Sequence, residues 1–131
     1  MRNGIDVLEK RTRQFAIAAV RLTASMRTQP HLMDIARQLA RSSTSVAANQ
    51  RAMRRARSMN EFAAKLQIVN EEIDEAASWL EMLEELTSPA TDQLRDLRRE
   101  ALELRAIYAK ARRTTREKLL KSQRGKEPKS Q

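Results

Sequence analysis

Cysteine is absent from the 131-residue chain. That removes disulfides, thiolate nucleophiles and sulfur-ligated metal centres, and it is compatible with a reducing compartment. Glycine occurs twice and proline three times, too few to build a phosphate-cradling loop, a dinucleotide-binding turn or a nucleophile elbow. The aromatics are Phe15, Phe62, Trp79 and Tyr108, which starves strands and cannot supply a platform for stacking successive bases. His31 is the one histidine and stands at a helix start, in His31-Leu32-Met33-Asp34. Di-metal sites in helical bundles need Glu-x-x-His motifs on facing helices, and the chain has none. The expectation is a non-enzyme with no metal and no cofactor. No apolar run approaches the ~18 residues of a membrane span. The opening MRNGIDVLEKRTRQ lacks the apolar stretch of a secretory signal. Cytosol is the default location, and a membrane is not an expected partner.

Charge is abundant. Lys and Arg number 26 against 17 Asp and Glu, a formal net charge of +9. A surplus of that size on one small domain favours polyanions, nucleic acid first.

Apolar periodicity resolves the chain into four helices, over about 4–28, 30–57, 59–87 and 89–121. In the first, Ile5, Leu8, Thr12, Phe15, Ala19, Leu22 and Met26 alternate steps of three and four along one face. Pro30 biases Gln29 out of the helical region and suits a first turn. The second stripe is Leu32, Ile35, Leu39, Ser42, Val46, Asn49 and Met53. Ser58-Met59-Asn60-Glu61 has the capping-box pattern, ahead of Phe62, Leu66, Val69, Ile73, Ala76, Leu80 and Leu83. Thr87-Ser88-Pro89 offers a break, a cap and a proline at a first helical position. The fourth stripe is Leu94, Leu97, Ala101, Leu104, Tyr108 and Ala111. Four such stripes with short connections predict one all-α domain over 1–123, an antiparallel up-down four-helix bundle. Residues 124–131 read as a basic polar tail without order.

The second helix is odd because polar residues occupy its core stripe. Ser42, Ser45 and Asn49 share one side beside Val46. A serine hydroxyl can bond a carbonyl one turn back, whereas an unpaired buried Asn49 amide would cost ~1–3 kcal/mol. Asn49 is therefore expected to find a partner across the interface, on helix three. These three residues are assigned to a structural polar network. Ile68, Trp79 and Met82 form a second apolar strip on helix three, either core or a subunit interface.

The run SSTSVAANQ, followed by ARSMNEFAAKLQIVNEEIDEAASWLEML, resembles the four-helix-bundle family encoded by intervening sequences of bacterial 23S rRNA genes. Ser42, Ser45, Val46, Ala48, Asn49, Arg57, Ser58, Glu61, Phe62, Lys65, Leu66, Glu72, Glu75, Trp79 and Leu80 carry the likeness. It spans roughly residues 5–115 and is most specific over 41–83. The resemblance implies an antiparallel bundle assembling as a homopentamer around a central channel. The accessory variability proteins of diversity-generating retroelements are similar; they are basic pentamers that bind nucleic acid and a reverse transcriptase. Where many intervening-sequence members carry an acid after the Asn, this chain has Ala52, then Met53, Arg54 and Arg55. That departure leans toward the nucleic-acid-binding branch.

The charges are sorted along the chain. Between 66 and 86 there are seven acids and no Lys or Arg; between 41 and 57, five Arg and no acid. From 112 to 126 seven basic residues face Glu117 alone. On helix four, Arg95, Arg98, Arg105, Arg112 and Arg116 fall on one flank over ~32 Å, and Asp96, Glu100 and Glu103 on the other. Two readings stand. In one, the arginines pair with acids within or between subunits. In the other, a residual surplus meets phosphates of RNA or DNA, for which Arg51, Arg54, Arg55, Arg112, Arg113, Arg116, Lys118, Lys121 and Arg124 are the candidates.

Overall fold

The computed structural model describes residues 2–126. Four helices follow in order: α1 (Arg2–Ala24), α2 (Pro30–Arg54), α3 (Met59–Leu86) and α4 (Asp92–Lys126). A 3₁₀ turn, Ser25–Thr28, closes α1. Each helix packs antiparallel to its neighbours in sequence, and α1 returns against α4 to close the bundle. The α2–α3 contact is the most extensive and the α1–α4 contact the sparsest. Among the described residues there are no strands, and no helix is long and apolar enough to cross a membrane.

Local chemistry sets the boundaries. Gln29 is extended and Pro30 opens α2, with the Gln29 carbonyl accepting from the Leu32 and Met33 amides, both at 3.0 Å. Ser58 caps α3, its hydroxyl accepting from the Glu61 amide at 3.0 Å. The Glu61 carboxylate reaches back to the Arg57 amide at 3.3 Å, one residue earlier than a regular capping box. The α4 start differs from the sequence expectation. The cap is Thr91, whose hydroxyl accepts from the Leu94 amide at 3.2 Å, with Asp92 in the first turn complementing the positive helix end. Ser88 and Pro89 belong to the connection. At the far end α4 runs on to Lys126, so residues 124–126, expected in a disordered tail, are helical. Residues 127–131 of that tail lie outside the described residues.

The core follows the stripes on α1, α3 and α4. Phe15, Ala19, Met26, Leu66, Val69, Ile73, Ala76, Leu80, Leu83, Leu94, Leu97, Ala101, Leu104 and Tyr108 are buried. Helix α2 sits between α1 and α3, so it buries a wider arc than one stripe. Alongside Leu32, Leu39, Val46 and Met53, a second series of Ala36, Ser43 and Gln50 is fully buried. Ile35, Ser45 and Asn49 are only half-buried. Small residues (Ala36 and Ser43 on α2, Ala76 and Ala77 on α3, Ala101 on α4) let the backbones approach closely.

The polar network is therefore not the expected one. Ser42 donates to the Leu39 carbonyl at 3.3 Å, as a serine inside a helix does. Asn49, however, finds its partner on its own helix. Its Nδ2 donates to the Ser45 carbonyl at 2.9 Å and the Ser45 hydroxyl at 3.2 Å. Half-burial permits this, because water can serve the other amide positions. The polar contact that crosses the core joins Gln50 to Tyr108, whose hydroxyl donates to Gln50 Oε1 at 2.6 Å. Burial pushes the Tyr108 phenol well above its ordinary range, with Thr12 and the Arg11 charge offsetting part of the effect. It stays a neutral donor. On the opposite side, Asn70 Nδ2 of α3 donates to the Tyr108 carbonyl at 3.1 Å. Tyr108 thus joins α2, α3 and α4 at one level, while Gln50 Nε2 has no protein acceptor.

Removing the Tyr108 hydroxyl strands both ends of a buried amide. Tyr108→Phe should lower unfolding free energy in urea by about 1–3 kcal/mol, and adding Gln50→Leu should recover most of that loss. A double variant no more stable than the single one would contradict this account.

Candidate nucleic-acid interface

Antiparallel order brings the C-terminal ends of α2 and α4 and the start of α3 to one pole. The α3–α4 register follows from paired contacts: Arg98 with Glu84, Arg105 with Asp74, and Asn70 with the Tyr108 carbonyl. Residues 110–119 of α4 therefore run beside 59–67 of α3, with Thr115 and Leu119 against Ala63 and Leu66. Beyond Leu119, α4 projects past the start of α3 by about 10 Å.

Carboxylates are used at the seams. Arg11 of α1 bridges Glu100 and Glu103 of α4, its Nε within 2.9 Å of Glu100. Arg54 of α2 pairs with Glu9 and approaches Asp6 of α1 at 3.9 Å. Arg41 of α2 spans Glu72, at 3.2 Å, and Glu75 of α3. Arg98 and Arg105 of α4 pair with Glu84 and Asp74 of α3. Every seam of the bundle thus carries an arginine–carboxylate bridge. Hydrogen bonding to Glu100 and to Glu75 raises Arg11 and Arg41, respectively, above the ordinary guanidinium value. Burial works to raise the Glu75 carboxyl, but hydrogen bonds from Arg41 and the Trp79 indole, with the Arg41 charge, outweigh it and hold Glu75 below 4.5.

The candidate residues divide accordingly. Arg54 is engaged with α1 carboxylates and leaves the phosphate-contact set. Arg51, Arg55, Arg112, Arg113, Arg116, Lys118, Lys121 and Arg124 are all exposed, and none has an ion-pair partner among the described residues. They gather at the same pole. The long Arg flank expected on α4 is interrupted, since Arg95, Arg98 and Arg105 bind Asp92, Glu84 and Asp74. Its free part begins at Arg112. Sequence reasoning missed Arg57, Lys65 and Lys110, which join this pole. Lys110 was findable, because it shares a helix face with Thr114 and Lys118.

Segments 51–65 and 110–126 hold Glu61 and Glu117 as their only acids. The opposite pole is balanced in number: Arg21, Arg27, Arg37, Arg95, Arg98 and Arg99 lie there with Asp34, Glu81, Glu84, Glu85, Asp92 and Asp96. Four of them form pairs, Arg37–Asp34, Arg95–Asp92, Arg98–Glu84 and Arg99–Asp96. Asp6 and Glu9 at the start of α1 share the basic pole but are taken up by Arg54, so the larger part of the positive surplus sits at that end. Part of it complements the negative C-terminal ends of α2 and α4, each such cation contributing about 0.3–1 kcal/mol. The same pole carries an apolar groove of about 410 Å³ between the start of α3 and α4.

Ile68 and Trp79 are half-buried, and Trp79 Nε1 donates to Glu75 at 3.1 Å. Met82 is exposed. Among the described residues, no three His, Asp or Glu side chains converge as metal ligands.

These features define a four-helix bundle with its charge concentrated at one pole. The family model described as 23S rRNA-intervening sequence protein matches residues 6–110, and the chain belongs to that family. A solved structure from Bacteroides thetaiotaomicron, a protein of unknown function from the S23 ribosomal protein family, is similar: 25% identity, a TM-score of 0.73, covering 80% of this chain and 97% of that one. No curated protein matches. The family match ends at residue 110, just before the basic stretch of α4.

The Arg41 bridge yields a signed expectation. Glu75 is held below 4.5 in the folded state, so the bridge contributes fully above that pH and is lost as pH falls below it. Arg41→Gln should cost about 0.5–1 kcal/mol at neutral pH, because the pair is largely exposed. The gap from wild type should close in acid urea melts. Arg113→Gln should leave stability unchanged throughout.

Proposed function

We propose that this protein is a non-enzymatic nucleic-acid-binding accessory protein whose basic pole holds the phosphate backbone of RNA. The observation behind this reading is the location of the surplus: bridges at the four seams use many of the carboxylates, and most of the remaining guanidinium and ammonium groups collect at one end, with Arg13, Arg21 and Arg27 the exceptions along α1 and its closing turn. Arg51, Arg55, Arg112, Arg113 and Arg116 form its centre, with Lys118, Lys121 and Arg124 along the projecting end of α4. Guanidinium groups suit phosphate because their planar fork donates two bonds together. Affinity comes mainly from counterion release, so it falls steeply with salt. Sequence preference is weak, since the chain has no recognition-helix or zinc motif. The likeness to retroelement accessory proteins favours RNA over DNA, a reverse transcriptase as enzymatic partner, and a ring of five copies in the cytosol.

A second reading, an assembly protein without a nucleic-acid role, draws on a different surface. Ile17 and Val20 of α1 are exposed and line a 320 Å³ trough with Ala47 of α2, flanked by Arg13 and Arg21. On α3, exposed Met82 and Leu86 stand among Glu81 and Glu85, which have no ion-pair partner among the described residues. A face of one kind seating on the other in the next copy is the head-to-tail contact from which rings are built.

Fluorescence anisotropy with a labelled single-stranded oligoribonucleotide across a salt series separates the two. Replacing Arg51, Arg55, Arg112, Arg113 and Arg116 with Gln should weaken binding at least roughly tenfold at low salt and flatten the salt slope by about 0.7 per lost phosphate contact. Replacing Arg27 and Arg99 at the opposite pole should change neither. Retained binding in the five-residue variant would sink the first reading. An oligomer, read by light scattering, that Arg13→Gln with Arg21→Gln dissolves, with no RNA binding by wild type, would favour the second.

A further inference from the structure

The groove at the basic pole has an apolar floor that bundle packing explains only in part: Phe62 and Ala111 lean on the core, but Met59 and Ile107 do not. Met59 and Ile107 leave 46% and 37% of their surface exposed, and half-buried Phe62 and Ala111 lie between them. Such exposure is unremarkable for one residue, but here four apolar side chains converge on one concavity. It lies in the most cationic region of the molecule. Lys110 and Lys118 stand on its rim, two turns apart on α4, and neither has an ion-pair partner among the described residues.

The combination discriminates among occupants. Phosphate binding alone needs the lysines and gains nothing from an apolar floor. A partner helix would need a groove several turns long, whereas the α3 wall is a single turn, from Met59 to Phe62. A planar heterocycle flanked by phosphates matches both features. The thioether of Met59 and the ring of Phe62 offer soft faces for stacking. The Thr114 hydroxyl, also lining the groove, offers a donor and an acceptor to a base edge. Flexible lysine stems reach phosphates on either side of one nucleotide.

We propose that this slot receives one unstacked base of an RNA strand, with Lys110 and Lys118 on the neighbouring phosphates, so that the pole selects single-stranded over double-stranded RNA. This rests on the reading of the pole as a nucleic-acid site. A duplex must break stacking and pairing to fill the slot, and a single strand need not.

The test uses the full chain and three probes of equal length: a single-stranded oligoribonucleotide, its duplex, and a strand made abasic throughout. Wild type should bind the base-bearing strand about fivefold or more tighter than the abasic one, and tighter than the duplex at equal salt. Met59→Gln with Ile107→Gln changes exposed positions only. It should erase that preference and leave abasic binding unaltered. A second variant, Phe62→Trp with Trp79→Phe, places the sole indole in the slot. Its emission should be quenched by the base-bearing strand and not by the abasic one. Equal affinity of wild type for base-bearing and abasic strands overturns the slot while leaving the phosphate-binding pole intact, as does equal quenching by both. Failure of every probe to bind at low salt removes the pole itself.

Discussion

The alignment of α4 along α3 governs the molecule. Arg98 on Glu84, Arg105 on Asp74 and Asn70 on the Tyr108 carbonyl fix it at three levels. With that register set, a 35-residue α4 must outrun a 28-residue α3, and the excess emerges beside the α2–α3 turn. Beyond Tyr108 the helix carries little core, since among the described residues only Thr115 is buried there. Its sequence is thus free to serve something other than stability. Shifting the register by one turn would misplace Tyr108 from Gln50, leaving a buried amide without its one partner.

Charge distribution follows from the same register. Carboxylates of α1, α3 and α4 meet arginines at the seams because antiparallel neighbours present them at matching heights. Each exposed bridge contributes little alone, but together they settle which cations stay uncommitted. Most of what is left over lies near two helix C-termini and a short turn. The family match stops at residue 110, so the bundle belongs to the shared framework, and the basic end of α4 lies beyond the matched span. The pole thus combines Arg51, Arg55 and Arg57 from inside the matched span with the basic stretch of α4 beyond it.

Much of the fold was legible because helical periodicity, proline and capping residues are local signals. Three stripes, the Pro30 start and the Ser58 cap all appear where periodicity placed them. The misses have a common origin. Ser88-Pro89 resembles a helix start, but Thr91 holds the cap. Gln50 hides between Asn49, the expected network member, and Arg51, because α2 buries two arcs and a single stripe describes one. Arg54 looked like its neighbours Arg51 and Arg55 until α1 brought Glu9 and Asp6 to it.

Composition and periodicity alone determined four helices and a positive surplus, since both depend on residue type and on spacing within single segments. Only the tertiary structure decided which arginines are occupied, that two distant basic stretches share one pole, and that Met59, Phe62 and Ile107 line one groove. Those outcomes depend on distances between residues far apart in the chain, and such distances are set by helix packing, which no local pattern encodes.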